Sequence, residues 1–322
     1  MALALNGGGA KGAYQAGVIY GWMHEGNPDD FQWDVVSGIS GGAINSCALS
    51  VWDKANGLAM SEWLSDQWTN LHTHDVWKWW PQGPIHSLKN DPSILNDTPL
   101  TEFLTTIFDQ FPEGAKRYAM VGSVNANNAD YESWRLDELP LESYAADAAS
   151  ACVSSASLPG LFIPTEINGG QFVDGGTAMG LDAMSAVEKC LELVDDDSQI
   201  TMDIILLDRF SDQAEEESGD TINNLLRQHE MKHYYKGLEN VITVMMAHPN
   251  VNYRYILEPS GAYPRLWNLL NFSYENTWPM QENGRADAKT ALEAGPGAGF
   301  EPFLEAIRER HGQVSISDLL QK

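Results

Sequence analysis

Two short apolar runs, each stopped by a glycine cluster and each followed by a helix-period stripe, fill the first fifty residues. No other feature of the chain restricts its fold as much. Residues 2–6 are apolar up to Asn6 and run into Gly7-Gly8-Gly9, the pattern of a buried strand entering a tight turn. Tyr14, Gly17, Val18, Gly21 and Trp22 then fall on one face of a helix that Asn27-Pro28-Asp29-Asp30 ends. Residues 33–37 form a second strand pattern, followed by Gly38-Ile39-Ser40-Gly41-Gly42 and a stripe at Ala43, Ile44, Cys47, Ala48 and Val51. Strand, turn and helix twice over predict an α/β fold, a three-layer sandwich around a central, mostly parallel sheet.

Further along, residues 60–115 read as helices and loops carrying Trp77, Trp79 and Trp80, and residues 118–124 resume a strand pattern. The tryptophans fit either a lipid-facing lip or packing under a long loop. Asn168-Gly169-Gly170 between apolar runs predicts a hairpin whose second arm, residues 171–173, delivers Asp174 onto Gly175-Gly176. Residues 204–207 and 253–257 read as strands, and the acidic runs 195–197 and 215–217 as solvated loops, since consecutive carboxylates repel and point apart. No linker or repeat divides the chain, so one unit over residues 1–322 is expected.

With 45 Asp and Glu against 19 Lys and Arg, the chain carries a formal charge of −26. Such a surface repels phosphate backbones, which argues against a nucleic-acid partner. Cys47, Cys152 and Cys190 are odd in number and lack metal or redox spacing, so no disulfide framework is expected and they read as buried small hydrophobes. A start without a basic, apolar leader and the lack of any run of ~20 apolar residues predict a cytoplasmic protein.

Ser40 lies in Gly-x-Ser-x-Gly at a strand-to-helix turn, where small neighbours, Gly38 and Gly42, permit strained geometry and the helix N-terminus favours developing negative charge. A structural turn gives the same pentapeptide. Gly7-Gly8-Gly9-Ala10-Lys11-Gly12 also satisfies the dinucleotide fingerprint, but the second strand ends at Ser37-Gly38-Ile39-Ser40 and not at the acidic residue a ribose requires. Such a loop can instead form an oxyanion hole, because glycines let backbone N–H groups approach an alkoxide. His229, His233 and His248 lie downstream as possible bases. Yet only one strand precedes the strand that ends at Ser40, too early for the α/β-hydrolase order.

The order of glycine-rich loop, Gly-x-Ser-x-Gly and Asp-Gly-Gly resembles the patatin-like phospholipase family. Residues 33–43 are similar to that family's nucleophile block, and residues 154–164 to the stretch before its catalytic aspartate. The resemblance is clear over residues 1–185. It implies a lipid acyl hydrolase of the phospholipase A or lysophospholipase type, with a Ser40–Asp174 dyad, no essential histidine and no metal or other cofactor. Gly7, Gly8, Gly9, Lys11 and Gly12 then form the oxyanion block, Gly38 and Gly42 the nucleophile turn, and Gly175 and Gly176 the Asp-Gly-Gly motif. The partner would be a lipid or other acyl ester, with transient contact to a membrane or micelle. After Asp-Gly-Gly the family often has Asn-x-Pro, whereas this chain has Thr177-Ala178-Met179-Gly180-Leu181-Asp182.

Two other classes stay open. His229-Glu230-Met231-Lys232-His233 matches the zinc-peptidase motif His-Glu-x-x-His, with Glu258 as a conceivable third ligand, although two solvent-facing histidines on a polar helix give the same string. A catalytically silent binding protein on the same fold is the other. His72 and His74 read as polar surface.

Overall fold

The computed structural model describes residues 1–208, 221–261, 269–300 and 304, with side chains from Met231 onward in the helix that begins at Thr221. Strand β1 (Ala2–Leu5) is buried along its whole length because parallel neighbours flank both its edges and helices cover both its faces. Helix α1 (Gly12–Glu25) leads to β2 (Val35–Ile39) and α2 (Gly41–Ser50). Four helices and a small two-stranded ribbon follow: α3 (Gly57–Asn70), α4 (Thr73–Val76), β3 (Lys78–Trp79), α5 (Pro84–Asn90), β4 (Leu95–Asn96) and α6 (Thr98–Phe108). Then come β5 (Tyr118–Asn125), β6 (Tyr131–Arg135), α7 (Tyr144–Ala156), β7 (Thr165–Ile167) and β8 (Gly170–Asp174). The last described elements are α8 (Ala183–Leu191), β9 (Thr201–Ile205), α9 (Thr221–Ala247), β10 (Asn252–Leu257) and α10 (Tyr274–Ala294).

The main sheet runs β10-β9-β1-β2-β5-β8-β7, with β6 paired to β5. Its β10–β9–β1–β2–β5 portion is parallel, and β6, β7 and β8 add an antiparallel end. Alternation along β1 divides the core: Leu3 and Leu5 belong to the cluster built with residues of α1, α2, α3, α6, α7 and α10, while Ala2 and Ala4 belong to the one built with α8 and α9. This is the expected three-layer sandwich. The predicted hairpin is also present, with Asn168 (φ 52°) and Gly169 (φ 80°) as its two loop residues. Both lie in the left-handed region, as a type I′ turn requires. Strand β2 extends two residues past its sequence-predicted end, so the chain reaches Ser40 directly from the sheet.

Cys47 on α2 and Cys152 on α7 are joined by a disulfide, with Cα atoms 6.6 Å apart, while Cys190 is free and buried. The expectation of three unpaired cysteines is therefore corrected. Their separation of 105 residues hid the pairing, which arises only because α2 and α7 pack side by side on one face of the sheet. Bonds of this kind persist in oxidising compartments, so the pair lends no support to a cytoplasmic location. Among the described residues no helix is long and apolar enough to cross a membrane.

Helices α1 and α10 approach almost backbone to backbone. A side chain at Gly17 would begin 2.1 Å from the Gln281 carbonyl oxygen, and one at Gly284 would begin 2.3 Å from that of Tyr14. Backbone cannot yield as a flexible side chain can. Gly17→Leu is therefore expected to lower unfolding free energy by about 3 kcal/mol or more, read from chemical denaturation; a loss below about 1 kcal/mol would show that the helices can separate cheaply.

Candidate active site

At the carboxyl ends of β1, β2, β8 and β9 the chain turns away from the sheet, and the predicted site residues gather there. Ser40 links β2 to α2 with φ 54° and ψ −122°, a conformation that costs a non-glycine residue of order 1–3 kcal/mol. The flanking glycines allow it. A side chain at Gly38 would begin 2.2 Å from Gly42 O, and one at Gly42 2.5 Å from Leu5 O. One at Gly41 would begin 2.4 Å from Gly9 O, so the serine turn and the glycine loop touch. The Ser40 N–H donates to Ser155 Oγ at 3.0 Å, whose hydroxyl donates to Gly122 O. Neither contact was foreseen from the sequence.

Asp174 ends β8, where it stands opposite Ser123 of β5, and its N–H donates to Ser157 O at 2.9 Å. Its carboxyl is fully enclosed. Oδ1 accepts from Gly176 N at 2.7 Å, whereas Oδ2 is buried without a hydrogen-bond partner of ordinary geometry. Burial pushes the pKa up to about 6, opposed in part by the Gly176 N–H, the Ser40 hydroxyl beside it, and the charges of His233 and Lys236. A carboxylate so placed is a stronger base than one in water.

In the glycine loop, the Gly7 N–H donates to Gly180 O at 3.1 Å, and Gly9 takes φ 56° against the Leu269 carbonyl. Among the described residues the N–H groups of Gly8 and Gly9 bond no acceptor. Gly12 opens α1 and packs on Trp68. Lys11, expected within the oxyanion block, instead turns its ammonium to Asp208 Oδ1 at 2.9 Å. The divergent segment after Asp-Gly-Gly is firmly held: Asn6 Nδ2 donates to Gly180 O, Asn240 Oδ1 accepts from Gly180 N and Leu181 N, and Lys236 Nζ donates to Gly176 O and Thr177 O.

His233 enters this site, which its reading as a solvent-facing residue did not anticipate. Its Nδ1 lies 2.8 Å from Asp208 Oδ2. A side chain at Gly7 would begin 3.2 Å from His233 Nε2 and 3.2 Å from Ser40 Cβ, so those two atoms are at most twice that distance apart. Burial opposes ionisation of Asp208, but Lys11 and His233 outweigh it and hold the carboxyl well below the usual range. The available signal for Asp208 was its place just beyond the carboxyl end of a strand pattern.

The side chains of His229 and Glu230, and residues 215–217, lie outside the described residues. Among those described no group of three or more His, Cys, Asp or Glu could hold a metal. His248 pairs with Asp197 at 3.9 Å, and His72 and His74 are exposed. Trp77 and Trp80 are partly buried and donate to Leu270 O and Ser93 O, while Trp79 is exposed.

A mostly parallel α/β sandwich with a strained serine turn, a glycine loop against it and a buried aspartate beside both defines the class of protein. The patatin-like phospholipase family model matches residues 3–187, more than half of the chain. The chain belongs to the patatin-like phospholipase family, whose members act on lipid esters. Among solved structures, VipD from Legionella pneumophila aligns at 14% identity over 91% of this chain and 67% of its own, with a TM-score of 0.38, too low to carry an argument. No curated protein matches.

Proposed function

We propose that residues 1–322 form one catalytic unit that hydrolyses acyl esters of lipids through a Ser40–Asp174 dyad. The observation that carries this reading is the fully buried Asp174 carboxyl beside the Ser40 hydroxyl, with its pKa raised to about 6. Asp174 takes the hydroxyl proton as Ser40 Oγ attacks the ester carbonyl. The N–H groups of Gly8 and Gly9, and the start of α2, receive the oxyanion. Apo geometry at such sites is often loose and tightens with substrate bound. The scheme needs no cofactor. Exposed Trp79, Ile85 and Leu88, on β3 and α5, support transient contact with a lipid surface.

The test is labelling of the intact chain by a fluorophosphonate, with the modified residue mapped by mass spectrometry. Label on Ser40 is expected. Its rate should rise about tenfold per pH unit up to about pH 6 and level off above, because only ionised Asp174 can accept the proton. Label elsewhere, or a flat rate from pH 5 to 7.5, would remove this pair from the chemistry.

A further inference from the structure

Among the described residues at the site is an imidazole that the dyad does not use. His233, presented by α9, sets Nε2 against Gly7 and Cδ2 near Gly176, where a side chain would begin 3.7 Å away. The edge of its ring therefore faces the span between the serine turn and the aspartate. Behind the ring Asp208, just past β9, sits 2.8 Å from Nδ1, and Lys11 from the glycine loop holds the far oxygen of that carboxyl. Among the described residues the charged groups near the imidazole include Asp174 from β8, Asp208 and Lys11, with Lys236 and, one residue before His233, Lys232 on α9 itself. An anionic Asp208 accepting the Nδ1–H fixes the tautomer and turns Nε2, with or without a proton, toward the reacting side. Lys11 keeps Asp208 ionised, so the imidazole is backed by a permanent carboxylate.

Asp174 has less freedom. Oδ1 accepts from the Gly176 N–H, Oδ2 is enclosed, and the Ser40 hydroxyl lies beside the carboxyl. It can receive the serine proton, but the same enclosed oxygen would have to reach the departing alcohol.

Resting on the acyl-hydrolase reading above, we propose that His233 is a further catalytic residue, a second proton carrier that serves the leaving and entering oxygens while Asp174 serves the serine oxygen. In acylation Asp174 takes the Ser40 proton as the Oγ–C bond forms and the carbonyl electron pair moves to oxygen. When the C–O bond of the ester breaks, the departing oxygen takes the proton from imidazolium Nε2. Water then attacks the acyl-enzyme and gives a proton to the neutral imidazole. As the second tetrahedral intermediate collapses, Ser40 Oγ leaves with the proton from Asp174. Ester and water become acid and alcohol, and both carriers return to their starting states.

A leaving group that needs no proton escapes the requirement, and that gives the test. The full chain and its His233→Gln and Asp208→Asn variants are assayed on p-nitrophenyl octanoate and ethyl octanoate, which share an acyl group and differ in alcohol. The readout is kcat/KM, which reports acylation. For His233→Gln a loss of about a hundredfold or more is expected with the ethyl ester and less than about fivefold with the p-nitrophenyl ester. Asp208→Asn should fall between, in the same order. The ratio of the two esters does not depend on how much variant is folded. Equal losses on both esters would make His233 structural, and no loss on either would make it a bystander; each overturns the proposal. If wild type cleaved neither ester, or Ser40→Ala cleaved both at wild-type rate, the hydrolase reading would itself fall, a result distinct from those two.

Discussion

Ser40→Ala is expected to abolish ester hydrolysis, by about four orders of magnitude or more, while the fold persists. The hydroxyl makes no contact that the core depends on, and the contact that fixes the turn, to Ser155, comes from the Ser40 backbone N–H, which alanine keeps. Alanine also inherits φ 54°, so the local strain is unchanged and stability should move by no more than about 1 kcal/mol. Turnover of a soluble ester and of a lysophospholipid, each compared with wild type, supplies the kinetic readout. A thermal melt supplies the other. Activity above a hundredth of wild type in a well-folded variant would mean that another nucleophile works here.

Asp174→Asn is expected to combine near-complete inactivity with a gain in stability, and the two effects have one cause. Burial raises the pKa of Asp174 from 3.8 to about 6, so the folded protein holds this proton more tightly than the unfolded chain does. The group's stabilising contribution is present in full below pH ~4 and is lost as pH rises through about 6, where folding must enclose a charge. Asparagine removes that cost. The variant should gain up to about 3 kcal/mol over wild type above pH 6, with the difference vanishing below about pH 4. Its amide oxygen can still accept from Gly176 N, so the turn survives. Denaturant titrations at pH 4, 5, 6 and 7.5 would trace the curve. A difference independent of pH would show that Asp174 does not titrate in the folded state.

The signals that could be read from the sequence were local. The first two strand–turn–helix units, the Asn168-Gly169 hairpin loop and the glycine-framed Ser40 each announce themselves within a dozen residues, because period and turn chemistry are short-range properties. The proposed pairing of Ser40 with Asp174 rests on the order of three motifs and not on any one of them. What escaped depends on chain segments meeting across the sheet. Cys47 and Cys152 become neighbours only once α2 and α7 lie together, and β6 is a polar antiparallel addition with little apolar alternation. His233 drew attention through a metal-site pattern, yet its described partner is Asp208, twenty-five residues upstream. Lys11 belongs by sequence to the glycine loop, but its ammonium pairs with Asp208, which a motif centred on the glycines does not contain.

The order of strands bears on where this chain could be cut. The family match ends at residue 187, but β1 lies between β2 and β9, and β9 is supplied by residues 201–205. A fragment stopping at the family boundary would lose the neighbour that pairs with Ala2-Leu3-Ala4-Leu5. Those four residues, apolar on both faces, would then carry a row of unanswered N–H and C=O groups at the margin of the sheet. An unguarded margin of that kind recruits strands from other chains. Residues 201–205, outside the segment that bears the motifs, thus seal the strand from which the glycine loop springs.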